Sequence, residues 1–153
     1  MLGTVMRQLA FVVLAAWSIQ AFAGNCNVVN GKAYGDCEGI RVSTEPSGRL
    51  VVTSAMTETG MISGALVKRG GYLKLSGMSA GDITVEAGAI LQVNGTVNGT
   101  ITNNGGTVRI NGTVRLVQMN GGSLEVAGVV DSVNGGGRIT YQKGAIVGGK
   151  HVN

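Results

Sequence analysis

The chain has 153 residues, of which 27 are glycine, and 12 Lys and Arg stand against 8 Asp and Glu. This mild basic excess is spread along the chain, and a nucleic-acid surface would need a basic stripe with stacking aromatics, so nucleic-acid binding is not expected. Residues 60–153 are crowded with Gly, Val, Thr and Asn, which are poor helix formers, and this excludes a helical domain.

The N-terminal segment has the order of features found in secretory leaders. Arg7 precedes an apolar run over residues 9–19, and Ala21 and Ala23 give the small-x-small pattern of a cleavage site. The run is about eleven residues, whereas a membrane span needs about twenty. We therefore expect a signal peptide at 1–23 and a mature chain that is exported to the periplasm, cell surface or medium and does not span a membrane. A short membrane or buried helix is the alternative.

Two cysteines, Cys26 and Cys37, follow the predicted leader closely. In an exported chain such an isolated pair predicts a disulfide, here closing a loop of about 12 residues. A metal site would need further ligands nearby, and the single histidine, His151, is at the far end. We expect residues 24–47 to form an N-terminal cap held by this disulfide.

A repeat begins near Gly70. Glycine recurs every 15 to 18 residues, and each glycine is followed by apolar residues at alternate positions, which is the pattern of a short strand with one face buried. The alternating pairs are Leu73 and Leu75, Leu91 and Val93, Val108 and Ile110, Leu124 and Val126, and Ile139 and Tyr141.

Short strands separated by glycine corners predict an all-β fold, a right-handed parallel β-helix (β-solenoid) of roughly five to seven short rungs over residues 48–153. Asn-Gly dipeptides suit the corners, but they are also the strongest hairpin signal, so an antiparallel meander is the rival fold. In a solenoid, Asn104 and Asn120 would stack as an amide ladder, and Tyr141 would plug the wider end of the coil.

Glycine-cornered rungs of this length resemble short-rung parallel β-helices, namely bactofilin-like polymers and the repeats of secreted adhesin passenger domains. The resemblance covers about residues 48–148 and implies a structural, self-assembling or adhesive role. Bactofilin-like proteins act inside the cell, and the export signal of this chain departs from that pattern.

The sequence offers no convincing catalytic, cofactor or metal site. Glycoside hydrolysis needs two carboxylates about 5–9 Å apart, and the acids in the regular rungs are only Asp82, Glu86, Glu125 and Asp131. A β-helical carbohydrate-active enzyme therefore stays as an alternative.

Outward positions of the repeats supply a candidate interaction face instead. We expect Tyr72, Lys74, Arg109, Arg115 and Arg138 to be exposed and the cations to line up along the coil; a merely solubilising surface is the simpler interpretation. The sequence thus predicts an exported, non-enzymatic structural or interaction protein that binds a protein partner or itself, with a periplasmic binding or immunity protein as the alternative.

Overall fold

The computed structural model describes residues 26–35, 37 and 42–153. The predicted leader, together with Asp36 and Glu38 of the predicted cap, lies outside the described residues. Within them the chain forms strands and no helix. In chain order the strands are β1 (Asn27–Val29), β2 (Lys32–Tyr34), β3 (Ser43–Thr44), β4 (Leu50–Val52), β5 (Ala55–Glu58), β6 (Met61–Ile62), β7 (Ala65–Val67), β8 (Tyr72–Leu75), β9 (Met78–Ser79), β10 (Ile83–Glu86), β11 (Ile90–Val93), β12 (Thr96–Asn104), β13 (Thr107–Ile110), β14 (Thr113–Met119), β15 (Ser123–Val126), β16 (Val129–Gly135), β17 (Arg138–Tyr141), β18 (Ile146–Val147) and β19 (Lys150–His151).

These strands stack as a β-solenoid of about six turns. Sheet A has the order β17-β15-β13-β11-β8-β5-β1-β2, and sheet B runs from β19 through β18, β16, β14, β12, β10, β7 and β4 to β3. From β5 to β17 every neighbouring pair in sheet A is parallel and in register. The predicted solenoid is confirmed, and the antiparallel meander is wrong for the body of the chain.

The rungs shorten toward the C-terminus. Leu73 pairs with Leu91, Leu91 with Val108, Val108 with Leu124 and Leu124 with Ile139, so successive rungs hold 18, 17, 16 and 15 residues. Since each rung closes one circuit of the coil, losing residues at the corners narrows it.

Alternation along each strand sends one set of side chains into the coil. In sheet A the inward columns run from Met56 to Ile139 and from Glu58 to Tyr141, and between their ends the side chains are fully buried Leu, Val and Ile. A single rung leaves this inner surface open to water, whereas stacking buries it between neighbours.

Sheet B covers two sides of the coil. The strands β12, β14 and β16 turn a corner without a break, and β12 uses two residues, Asn98 and Gly99, where β14 uses only Arg115. This irregularity removes one residue from the rung and is one of the places where the coil narrows.

Close backbone contact fixes another corner. A Cβ on Gly95 would collide with the carbonyl oxygen of Gly77, and a Cβ on Gly112 would collide with that of Gly95. Only glycine lets successive rungs approach this closely, which explains its recurrence after the apolar triplets.

Antiparallel strands end three of the four sheet termini. At the N-terminus β2 folds back on β1 through Asn30 and Gly31, both at positive φ, and β3 pairs antiparallel with β4. The Cys26–Cys37 disulfide is formed, with its Cα atoms 4.8 Å apart, and joins the two ends of this hairpin segment. At the C-terminus β19 folds back on β18, whereas sheet A ends on the parallel strand β17.

The expectation for Tyr141 is half right. It continues the inward column of Val126, but it lies on the shortest rung, and its side chain remains 39% exposed. It therefore sits at the narrow, open end of the coil and does not plug a wide one.

Candidate interaction surface

The outer surface of sheet A from β5 to β17, here called face A, carries two columns of side chains that alternate with the core. One column is Ala55, Tyr72, Ile90, Thr107, Ser123 and Arg138; the other is Thr57, Lys74, Gln92, Arg109, Glu125 and Thr140. Because the strands are in register, neighbouring side chains of each column repeat at the strand spacing of about 4.8 Å.

Four of the five predicted interaction residues lie on face A. Tyr72 and Arg138 belong to its first column, and Lys74 and Arg109 belong to its second. Arg115 does not join them, because it occupies the corner of β14 in sheet B. The expected line of cations is therefore not formed: Gln92 separates Lys74 from Arg109.

Hydrogen bonds hold the side chains of one end of face A. The Tyr72 hydroxyl donates to Gln92 Oε1 at 2.7 Å, and Gln92 Nε2 donates to Asn94 Oδ1 at 3.2 Å. Asn111 Nδ2 on the next rung donates to the same Asn94 oxygen at 3.0 Å. The chain of bonds crosses three rungs and fixes an aromatic ring and three amides in one arrangement, so a partner would meet a preformed surface.

The other end of face A is charged. Arg109 Nε lies 3.5 Å from Glu125 Oε2, and Gln142 Nε2 donates to Glu125 Oε1 at 2.9 Å. The Arg109 and Glu125 side chains are 61% and 41% exposed, so the pair adds little to stability and remains accessible. Six outward side chains surround a shallow depression here, namely Thr107, Arg109, Ser123, Glu125, Arg138 and Thr140.

The acids considered for catalysis mostly join rungs. Asp82 Oδ1 accepts from Thr100 N at 2.7 Å, and Glu86 Oε2 accepts from Arg69 N at 3.3 Å. Both acids point outward at opposite ends of β10, four residues apart, which corresponds to roughly 13 Å along a strand. Among the described residues no group of three or more His, Cys, Asp or Glu is arranged to hold a metal ion.

Two buried polar residues escaped the sequence analysis. Glu58 is fully buried in the column of Leu75, and its carboxylate accepts from Gly60 N at 2.7 Å, Asn30 N at 3.1 Å and Gly31 N at 3.4 Å. It therefore ties the N-terminal hairpin to the first rung. The sequence signal was the period of β5, which directs Met56 and residue 58 to the same side.

Asn103 is the second such residue, fully buried between Val85 and Met119 in an inward column of sheet B. Its Oδ1 accepts from the amides of Gly105 and Gly106, and its Nδ2 donates to the carbonyls of Gly106 and Ser123. The side chain thus satisfies a glycine corner from inside the coil, and its role is structural.

Comparison of the chain with protein-family models, with curated proteins and with solved structures finds no match. Within the part of the chain that the structure describes, no helix is long and apolar enough to cross a membrane.

Proposed function

We propose that this chain is an exported, non-enzymatic interaction protein that presents face A, a rigid solenoid surface, to a protein partner. The observation that carries the proposal is the preformed network from Tyr72 to Asn111, beside the accessible pair of Arg109 and Glu125.

Two observations support export. The leader pattern with Arg7 and the apolar run over 9–19 is that of a secretory signal. The Cys26–Cys37 disulfide is a bond that persists in oxidising compartments and is rare in the cytosol.

The roles of the acids support a function without catalysis. Asp82 and Glu86 accept backbone hydrogen bonds from neighbouring rungs, and Glu125 is engaged by Arg109 and Gln142. Glycoside hydrolysis needs a carboxyl pair about 5–9 Å apart on the two sides of a bound sugar, whereas Asp82 and Glu86 are separated by the length of β10.

Face A has the properties of a binding surface that loses little freedom on association. Its backbone is held by parallel pairing on both sides from β5 to β15, and several of its polar side chains are already immobilised. Arg and Tyr, the residue types enriched at binding hot spots, occur at Tyr72, Arg109 and Arg138.

Photocrosslinking in the cells that make the protein tests the proposal. A photoreactive amino acid placed at Lys74 or Arg109 probes face A, and the same group at Thr84 or Thr102, outward on sheet B, provides the matched control. We expect one discrete adduct from the face A positions and none from the sheet B positions. An equal pattern from both sheets, or no adduct from face A, would overturn the proposal.

Cell fractionation and mass spectrometry of the same samples test export separately. We expect the crosslinked species outside the cytoplasm with its N-terminus at Gly24. A cytoplasmic protein that retains residues 1–23 would contradict the export part of the proposal and leave the surface part to the crosslinks.

A further inference from the structure

The free edge of β17 is a second place where this protein can bind a polypeptide. Arg138 N donates to Gly122 O at 2.9 Å, and Gln142 N donates to Val126 O at 2.8 Å, so these residues direct their backbone groups toward β15. In a parallel strand the direction alternates, and Ile139 and Tyr141 therefore point their N–H and C=O groups away from the sheet. No described residue forms a ladder with them.

This edge differs from the other three sheet ends. The terminal strands β2, β3 and β19 are two or three residues long and fold back antiparallel, and β2 and β19 carry Lys32 and Lys150 on their exposed surfaces. Short strands and lysines are common protections of sheet edges. The edge of β17 spans four residues and carries two half-exposed apolar side chains, Ile139 and Tyr141.

The charge around β17 has one sign. From residue 132 to residue 153 the chain contains Arg138, Lys143, Lys150 and His151 and no Asp or Glu. All four of these side chains are exposed. A second copy of the chain, docked edge to edge, would bring two such cationic ends together, whereas an acidic segment would be attracted to it.

We infer that β17 accepts an extended, acidic segment of another protein as an added strand of sheet A. Backbone hydrogen bonds to Ile139 and Tyr141 supply the affinity, as in other cases of strand addition. On the incoming strand, apolar residues face Ile139 and Tyr141 at the end of the coil, and acidic residues face outward near Arg138 and Lys143. This edge is separate from face A, and the inference does not depend on the function proposed for that face.

The test uses the purified, disulfide-bonded protein and a seven-residue blocked peptide that alternates valine and glutamate. We expect saturable shifts of the Ile139 and Tyr141 amide signals in nuclear magnetic resonance spectra, confined to sheet A near β17. Two peptides serve as controls: one has lysine in place of glutamate, and one is N-methylated at alternate amides. Each should bind at least about tenfold more weakly, because one loses the charge attraction and the other the hydrogen bonds.

Ile139→Pro and Ile139→Val are the matched protein variants. Proline removes an N–H that does not bond to β15, so the fold should persist, and unchanged amide signals in β13 and β15 would verify this. Valine keeps the N–H and should bind the peptide as the unmodified protein does. We expect Ile139→Pro to weaken binding by about tenfold or more.

Three results would overturn the inference. The first is an unmodified protein whose Ile139 and Tyr141 signals do not respond to the peptide. The second is equal binding of the lysine or N-methylated peptide. The third is a concentration-dependent shift of the same signals without peptide, which would assign the edge to a second copy of the chain.

Discussion

Asn120 donates a side-chain hydrogen bond to Asn104 across 2.9 Å, joining the corners of two successive rungs. The sequence predicted this amide ladder from the equal positions of the two residues in their repeats, and the prediction is confirmed. Asn104 is exposed, however, whereas the residue before it, Asn103, is fully buried and bonded to four backbone groups. The two neighbours therefore make a controlled comparison.

Asn103→Ala should destabilise the fold far more than Asn104→Ala. The first variant leaves buried N–H and C=O groups of the Gly105–Gly106 corner without partners, and we expect a loss of about 3 kcal/mol in the free energy of unfolding. The second removes an exposed bond and should cost about 0.5 kcal/mol or less. Urea denaturation of both variants measures the difference, and equal losses would contradict the assigned role of Asn103.

Gly95→Ala should be among the most damaging single-methyl changes. The added Cβ would meet the carbonyl oxygen of Gly77 on the preceding rung, and the stack must open to admit it. We expect a loss of about 3 kcal/mol or more. Gly136→Ala is the control, because a Cβ there meets nothing within 4 Å and φ is not positive, and it should stay within about 0.5 kcal/mol of the parent. Thermal unfolding that ranks the two equally would contradict the close-approach explanation.

Glu58→Ala should release the N-terminal hairpin. It removes the acceptor of the Asn30, Gly31 and Gly60 amides inside the coil, and a loss of about 3 kcal/mol is expected. Glu58→Gln keeps one carbonyl oxygen and should recover part of the loss. Glu45→Ala, at a partly exposed carboxylate 3.8 Å from Arg49, should change stability by less than about 1 kcal/mol. Chemical denaturation monitored by circular dichroism gives the order, and no difference between Glu58→Ala and Glu45→Ala would be inconsistent with the structure.

The Cys26→Ala, Cys37→Ala double variant should lose about 2–3 kcal/mol, the chain-entropy value for a loop of this size. The loss should be local in character, with faster amide exchange in β1 and β2 and little change in β11 to β15, because sheet A does not depend on the hairpin beyond β5. Residue-resolved exchange would contradict this if all rungs loosened together.

The body of the fold was predictable because strand alternation and glycine corners are local signals. The positions of Tyr72, Lys74, Arg109 and Arg138 on one outer surface followed from the same period of two. Arg115 was misjudged because its place depends on the corner in β14, where one residue replaces the two of β12. Such a change in corner length shifts the count of residues without leaving a hydrophobic signal.

The buried polar residues and the hairpin show where pattern reading stops. A count of apolar residues passes over Glu58 and Asn103, although both fall on inward positions of their strands. Their burial depends on backbone N–H groups that converge on them only after the coil has closed. Asn30 and Gly31 form the hairpin turn that Asn-Gly dipeptides favour, whereas the same dipeptide at Asn111 lies at a solenoid corner. The difference is set by the partner strand available.

Native-state amide hydrogen exchange of the isolated protein tests most directly the claim of one rigid stack that is closed at its N-terminal end and open at β17. The structure predicts slow exchange, at similar rates, for the amides of β8 to β15 that bond between rungs, and fast exchange at Ile139 and Tyr141. Fast exchange throughout the central rungs, or strong protection of Ile139 and Tyr141 in the absence of any partner, would contradict it.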